Sequence, residues 1–188
     1  MSLLQSACRA PLISPEDTRD PIVRQVFQEI EQELGFGIVP NIFRALGNQP
    51  AILRAVWDLF RATVLEGILP RTLKEMIGVV VSAANGSEYA LRVHLHSLGV
   101  QGIAQEVLDA LAAGKTTAPG LSPSVVAVLR FAQRAVADGP LAVDDRAIAE
   151  VTATGISAAE LNEVIATINL FRYVNGFTDL VRVPIDAV

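Results

Sequence analysis

Cysteine is almost absent from this chain of 188 residues, in which Cys8 is the single example. One cysteine cannot form an internal disulfide, a composition that fits a reducing compartment. Long apolar runs are also missing, because the longest, residues 76–84, is far too short for a membrane-spanning helix. The first residues lack the basic lead and the apolar run of a signal peptide. These absences predict a cytoplasmic protein without a membrane segment.

Charge is scarce as well. Charged side chains make up 19% of the chain, and the formal net charge is −5. The sequence has no cluster of lysine and arginine, whereas a protein that binds nucleic acid needs a basic face to neutralise phosphates. We therefore predict no nucleic-acid partner. Apolar residues make up 51% of the chain, which predicts a large core together with a buried contact between copies, so we expect a homo-oligomer.

Alternating patterns long enough for a sheet are absent, and the apolar residues recur with a helical period instead. Asp20 followed by Pro21 is typical of a helix start, and Ser157 with Glu160 has the spacing of a capping box. Three valines at 79–81 lie within a long helical period, which indicates a buried helix rather than a strand. The sequence thus predicts an all-α fold.

Composition changes clearly at one place within the chain. Residues 114–123 are rich in proline, glycine, serine and threonine, as linkers are. We predict one all-α domain over residues 1–188, whose two helical halves would join at this linker. Residues 1–19 form a leader that we expect to be mobile, and residues 36–113 contain the candidate site. The linker, 114–123, is followed by a group of C-terminal helices at 124–188.

The stretch arranged most like a reactive site lies around residues 85–86, where one predicted helix ends and another begins at Ser87. On the first helix, Glu75 and Gly78 share a stripe of small and polar residues. A second helix can therefore lie close over Gly78 and leave Glu75 facing a narrow pocket. On the second helix, Ser87 and His94 share a face. We predict a pocket that Glu75 and His94 both border.

Each candidate residue also has a purely structural interpretation. Ser87 at a helix start can be an N-cap whose side chain accepts the amide of Ala90. Glu75 can pair with Arg71 on a solvated surface, and His94 can be a helix histidine with its hydrogen bonds satisfied. A direct bond between Ser87 and His94 is not expected, because their spacing on one helix separates the backbones by about 10 Å.

Metal and cofactor sites are not indicated. His94 and His96 are two residues apart and point to different sides of a helix, whereas a metal-binding pair would be four residues apart. Cys8 lies far along the chain from both histidines, in the leader. We therefore predict no metal and no cofactor.

The spacing of the candidate residues matches a known pattern. Glu75, Ser87, Ala90 and His94 follow one another at intervals of 12, 3 and 4 residues. This pattern resembles the alkylhydroperoxidase D-like branch of the carboxymuconolactone decarboxylase family, in which a glutamate, two cysteines and a histidine have the same spacing. Residues 73–102 are similar to the core of that family, and the likeness extends over about residues 36–182, including its peroxidase-related members. It implies a multi-helix, oligomeric bundle.

The resemblance also implies peroxide reduction and antioxidant defence, with one departure in the motif. In redox members the second thiol attacks peroxide and the first closes a disulfide, but here Ser87 and Ala90 occupy those positions. We therefore expect this oxidoreductase route to be lost. Glu75 and His94 relay protons in the redox members and are retained here. Tyr89, between the two substituted positions, is placed to donate a hydrogen bond at the same pocket.

Three functions follow as hypotheses. The first is an acid–base enzyme similar to the decarboxylase members, with Glu75 and His94 acting on a small organic acid or lactone. The second is a non-catalytic oligomeric homologue that binds a small molecule or serves a structural role. The third is a peroxidase that uses Cys8. The candidate catalytic residues are Glu75, His94, Ser87 and Tyr89.

Overall fold

The computed structural model describes residues 7–187, so residues 1–6 of the predicted leader lie outside the described part. Within 7–187 the regular structure is entirely helical, which confirms the predicted all-α class. None of the described helices is both long and apolar enough to cross a membrane. The α-helices are α1 Pro21–Glu33, α2 Asn41–Leu46, α3 Pro50–Phe60, α4 Arg71–Asn85, α5 Glu88–Val100, α6 Gln105–Ala112, α7 Pro123–Ala137, α8 Asp145–Thr152 and α9 Ala158–Val181.

Two short helical segments of other types interrupt this series. A π-helical turn, Arg61–Leu65, directly follows α3, and a 3₁₀ turn, Pro140–Ala142, lies between α7 and α8. The predicted linker lies between α6 and α7. The division of the chain into domains and its oligomeric state stay predictions.

The predicted helix starts are present with their capping bonds. The side chain of Asp20 accepts the amides of Ile22 and Val23, so the first donors of α1 are satisfied. Ser157 and Glu160 form the complete capping box at the start of α9. These local signals therefore set where the first and last described helices begin.

Helix α4 lies at the centre of the fold. It packs against α5 and α6, which precede the linker in the chain, and against α7 and α9, which follow it. Residues 79–81 are at most 1% exposed, which confirms that the three valines form a buried helix. Because α4 contacts helices on several sides, its polar residues are removed from water unless a neighbour partners them.

The turn between α4 and α5 brings the two helices of the site together. Gly86 ends α4 with φ +68°, a conformation that glycine adopts without strain. The amide of Ser87 then donates to the Ser82 carbonyl over 2.9 Å, so α5 folds back along α4. This short connection leaves Glu75 and His94 on facing helices.

The leader is more firmly held than the sequence predicts. The Arg9 amide donates to the Val181 carbonyl over 2.8 Å, and the Ile13 amide donates to the Arg44 carbonyl over 3.1 Å. In return, Arg44 Nε donates to the Ile13 carbonyl over 3.1 Å. The expectation of a mobile leader is therefore wrong for residues 9–13, because backbone hydrogen bonds join them to α2 and to the end of α9.

Candidate functional site

A carboxylate and an imidazole form the centre of the site. Glu75 on α4 and His94 on α5 lie with Oε2 and Nδ1 2.7 Å apart. Their residues are 2% and 4% exposed. The alternative of a solvated Glu75–Arg71 surface pair is therefore wrong, although Arg71 Nε does lie 3.5 Å from Glu75 Oε1. The structure brings together the two residues that the sequence analysis placed at one pocket.

The second oxygen of Glu75 is held by a residue that sequence analysis missed. Ser97 Oγ donates to Oε1 over 2.8 Å, and Ser97 is itself buried. Ser97 lies three residues after His94 and thus on the same face of α5. That spacing was the available signal, but a serine within a helix has many possible partners.

These contacts decide the charge of Glu75. Burial raises the pKa of its carboxyl. The hydrogen bond and charge of His94, the Ser97 hydroxyl and the charge of Arg71 together lower this pKa by more than burial raises it, so it is below its usual value. Glu75 is therefore an anion at neutral pH and accepts the Nδ1 proton of His94. A neutral His94 consequently presents the lone pair of Nε2.

Two neighbours fix the imidazole of His94. A Cβ added to Gly78 would lie 2.6 Å from two atoms of the ring, so only a glycine allows this approach of α5 to α4. On another side, the ring of Phe171 from α9 meets the imidazole edge-on, with 4.3 Å between the centroids. The predicted close contact over Gly78 is present, and the atoms that approach it belong to His94.

The imidazole borders a small, largely enclosed cavity. Nε2 of His94 is buried and has no hydrogen-bond partner among residues 7–187. The cavity volume is about 30 Å³, which is room for one or two water molecules rather than an organic ligand. Most of its lining is apolar, and the residues around it are Leu34, Phe36, Pro40, Ile42, Phe43, Val56, Phe60, Glu75, Tyr89, Ala90, Val93, His94, Phe171 and Val174.

Ser87 does not take part in this pair. It flanks the start of α5 as predicted, but its side chain makes no capping bond to the helix. Instead, its Oγ donates to Asp179 Oδ1 on α9 over 2.9 Å. The expected bond from the Ala90 amide is therefore wrong, because Ser87 directs its hydroxyl towards a carboxylate, which is a stronger acceptor than a neutral group.

Tyr89 is also placed differently from the prediction. Its ring borders the cavity, but its hydroxyl donates to Asp186 Oδ2 over 2.7 Å and accepts the Ile42 amide over 3.1 Å. The expectation that Tyr89 donates to a ligand at the pocket is thus not supported, because its proton already has a buried acceptor. Burial, followed by the charge and hydrogen bond of Asp186, raises the pKa of Tyr89 well above its usual value.

The remaining candidates lie elsewhere. Cys8 Sγ donates to the Ala10 carbonyl over 3.1 Å, and Cys8 lines a surface groove with Gly86 and Asp179 rather than the cavity beside His94. His96 packs edge-on against Phe36, with 5.3 Å between the ring centroids. Among residues 7–187, no three side chains of the metal-binding types lie close enough to hold an ion.

Comparisons with known proteins agree with this architecture. Residues 50–134 match the model of the Carboxymuconolactone decarboxylase family. No curated protein matches the sequence. A peroxidase-related protein from Ralstonia eutropha JMP134, described as an alkylhydroperoxidase AhpD core, is similar in fold, with 24% identity, a TM-score of 0.84, and 95% of this chain and 92% of that chain covered.

Two further solved structures share the fold. A peroxidase-related protein from Silicibacter sp. TM1040 has 19% identity and a TM-score of 0.84, with 96% of this chain and 93% of that chain covered. A cysteine-to-alanine variant of the debrominase Bmp8, in complex with 2,3,4-tribromopyrrole, has 24% identity and a TM-score of 0.79 over 96% of this chain and 92% of that chain. At these identities the likeness establishes the fold.

The family match and the fold meet at the same residues. The matched segment runs from the start of α3 into α7 and contains both members of the Glu75–His94 pair. The shared fold extends over nearly the whole length of the chain. On these grounds residues 50–134 are similar to the carboxymuconolactone decarboxylase family, and the chain has the fold of the alkylhydroperoxidase D-like proteins.

Proposed function

We propose that this protein binds a small, largely apolar organic molecule with a weakly acidic N–H or O–H group, and acts on it by acid–base chemistry at His94. One observation carries the proposal: the Glu75–His94 contact of 2.7 Å leaves Nε2 as a buried nitrogen without a partner beside an apolar cavity. A buried polar atom without a partner is costly, and a ligand that hydrogen-bonds to it removes that cost.

The pair has the parts that proton transfer requires. With Nδ1–H held by the Glu75 carboxylate, Nε2 of His94 is the free base and accepts the proton of the ligand. The resulting imidazolium lies beside the Glu75 anion, which stabilises it in a site that excludes water. The same Nε2 then returns the proton to a later species. Glu75 thus orients and charges the imidazole, while His94 contacts the ligand.

The cavity lining supports the chemical class of the ligand. Aromatic side chains surround the space next to the imidazole, and flat, apolar rings pack well against them. The debrominase with the same fold binds 2,3,4-tribromopyrrole, a small ring that carries one N–H. A halogenated pyrrole or a phenol therefore has the shape and the acidic proton that this proposal requires.

A thiol peroxidase mechanism is not part of this proposal. That route needs two neighbouring sulfurs, whereas Ser87 and Ala90 occupy the positions and the Ser87 hydroxyl is bonded to Asp179. Cys8 lines a groove whose lining includes neither Glu75 nor His94, and the chain has no second thiol. Peroxide consumption that is equal in the wild type and in Cys8→Ser would exclude the third hypothesis.

The experiment compares two ligands and three proteins. Binding of 2,3,4-tribromopyrrole and of its N-methyl analogue is measured by calorimetry in the wild type, in Glu75→Gln and in the control Glu88→Gln. Glu88 is exposed on the same helix as His94 and pairs with Arg92, so the control removes a carboxylate outside the site. We expect Glu75→Gln and N-methylation each to weaken binding about tenfold, because each removes a charged or buried hydrogen bond.

The outcomes separate the hypotheses. Equal affinity for the two ligands would mean that Nε2 accepts no proton from the N–H group, and the proposal would fail. Unchanged affinity in Glu75→Gln would remove the carboxylate from its role. Binding of the N–H ligand without any conversion of this or related compounds would favour the non-catalytic binding homologue over the enzyme.

A further inference from the structure

The side of the cavity opposite the Glu75–His94 pair is a short segment that we call the cavity wall, residues 34–43. Five of its residues line the cavity: Leu34, Phe36, Pro40, Ile42 and Phe43. Only its last three residues belong to a helix, the first turn of α2. Gly35 and Gly37, with φ of +85° and +69°, flank Phe36. Glycine in this conformation allows the backbone to turn on both sides of Phe36.

Helix α2 begins without a cap of its own. Pro40 precedes it and makes no side-chain capping bond. The first two amides of the helix are satisfied by distant residues instead: the Asn41 amide donates to Asp186 Oδ1 over 2.7 Å, and the Ile42 amide donates to the Tyr89 hydroxyl over 3.1 Å. Tyr89 in turn donates to Asp186 Oδ2 over 2.7 Å. A tyrosine and an aspartate therefore cap α2 from outside.

The aspartate belongs to the chain segment after α9, residues 182–186, which we call the strap. Besides Asp186, the strap contacts α2 through its Pro184 carbonyl, which accepts a hydrogen bond from Asn41 Nδ2 over 3.1 Å. Pro184 and Ile185 are exposed, and Val183 and Asp186 are buried. The hydrogen bonds of the strap to the wall thus come from Asp186 and Pro184, while Pro184 and Ile185 lie at the surface, where segments open locally most readily.

We propose that the strap is a latch on the cavity: Asp186, together with Tyr89, holds the first turn of α2 and so keeps the cavity wall closed over the Glu75–His94 pair. Release of Asp186 frees the Asn41 amide and removes the acceptor that orients the Tyr89 hydroxyl on the Ile42 amide, and so lets the wall turn at its glycines. This inference rests on the proposed function in one respect, namely that an organic ligand enters the cavity. The cavity of about 30 Å³ is too small for such a ligand, so part of its lining must move, and the wall is the least regular part of that lining.

The latch is polar and buried, and its two members support each other. The raised pKa of Tyr89 keeps its hydroxyl protonated, so it remains a donor to Asp186 throughout the neutral range. Burial also raises the pKa of Asp186, although the Tyr89 hydroxyl, the Asn41 amide and Arg44 each lower it. Loss of either side chain leaves a buried donor or acceptor without its partner.

The other end of the wall is fixed to the catalytic pair. Arg71 Nη2 donates to the Leu34 carbonyl over 2.9 Å, while Arg71 Nε faces Glu75. Leu34 is itself buried against the core. With this end held, opening at the α2 end moves Ile42 and Phe43 away from His94 and leaves the pair in place.

The test measures opening without any acidic ligand. Amide exchange resolved by NMR is compared in the wild type, Asp186→Ala, Tyr89→Phe and the control Ile185→Ala, a strap residue that makes no hydrogen bond to α2. Entry of xenon, an inert probe of apolar cavities, is followed in the same proteins. We expect exchange at Asn41 and Ile42 to become about tenfold faster or more in the first two variants, with faster xenon entry and an unchanged control.

Each outcome decides the proposal. Unchanged exchange at Asn41 and Ile42 in both variants would overturn it, as would equally faster exchange in all helices, since the effect would then be global. Faster local exchange without faster xenon entry would overturn the role in access. Failure of 2,3,4-tribromopyrrole to bind any of these proteins would reject the proposed function, and the xenon and exchange results would still decide the latch.

Discussion

The two sides of the cavity are held in different ways. On the side of the pair, Glu75 lies on the buried helix α4 and His94 on the buried face of α5, and their contacts with each other, with Ser97 and with Gly78 are within the core. On the side of the wall, the backbone is largely irregular and is held at its two ends by side chains from other segments. In the proposed function the first side positions the charges, and in the proposed latch the second side controls access to the cavity.

This difference assigns separate tasks to separate parts of the chain. A proton-transfer pair must keep its geometry to within a fraction of an ångström, which dense helix packing provides. A small cavity must also admit its ligand, which a largely irregular segment held at its two ends by side chains permits. Substitutions on the side of the pair are therefore expected to change chemistry and stability, and those at the latch to change access.

The largest effect is expected from Gly78→Ala, which would disturb the packing on the side of the Glu75–His94 pair, the rigid side of the cavity. The new Cβ would lie 2.6 Å from the imidazole of His94, so either the ring or α5 has to shift. Overpacking by so close a contact costs about 3 kcal/mol, which exceeds the gain of about 1 kcal/mol from placing alanine in a helix and leaves a net cost of about 2 kcal/mol. We expect a lower free energy of unfolding in urea and loss of binding at Nε2.

A matched glycine provides the control. Gly176 lies in α9, is exposed, and a Cβ built there meets no atom within 4 Å. Gly176→Ala should therefore stabilise the protein by up to about 1 kcal/mol. A stabilising effect of alanine at both positions would show that α5 does not pack closely on Gly78, and the claim that the side of the pair is rigidly packed would be wrong.

Much of the rigid side could be predicted from the sequence. Helix periods and caps act over a few residues, so Asp20, Ser157 and the valines at 79–81 each indicated their local structure. The stripe with Gly78 predicted a close helix contact, because a glycine on a helix face has no side chain to keep a neighbouring helix away. The pocket position of Glu75 and His94 followed from that stripe together with the family resemblance.

The wall and its latch could not be predicted, because their contacts join residues far apart in the chain. Asp186 bonds to an amide 145 positions away, and Ser87 donates to an aspartate 92 positions away. Neither acceptor has a sequence signal, since an aspartate is ordinarily a solvated surface residue. The ring of Tyr89 lines the pocket as predicted, but its hydroxyl does not point to a ligand. The partner of that hydroxyl is Asp186, which only the folded chain brings near.

A smaller effect is expected from Ser97→Ala, which tests how the buried charge of Glu75 is stabilised on the side of the pair. The substitution removes one donor to the buried Glu75 carboxylate and should cost about 1.5 kcal/mol at pH 7. Its pH dependence has a definite sign. Because the folded pKa of Glu75 is lowered, its stabilising contribution is present above the unfolded pKa of about 4.3 and is lost as the pH falls through the folded value.

The difference in unfolding free energy between the wild type and Ser97→Ala should therefore be largest near neutral pH and should decrease below about pH 4. Urea titrations at several pH values measure it. A difference that stays constant down to pH 2.5 would mean that Ser97 acts by packing and not through the charge of Glu75.

The smallest effect is expected from Ser87→Ala, although Ser87 occupies a position of the family motif. Ser87 and Ser97 are both buried serines that donate to a carboxylate, but Asp179 is exposed to water while Glu75 is not. Water replaces the lost partner of Asp179, so we expect a cost of about 0.5 kcal/mol and unchanged affinity for 2,3,4-tribromopyrrole. An affinity loss as large as that of Glu75→Gln would place a function at the former cysteine position and would contradict the assignment of the chemistry to Glu75 and His94 alone.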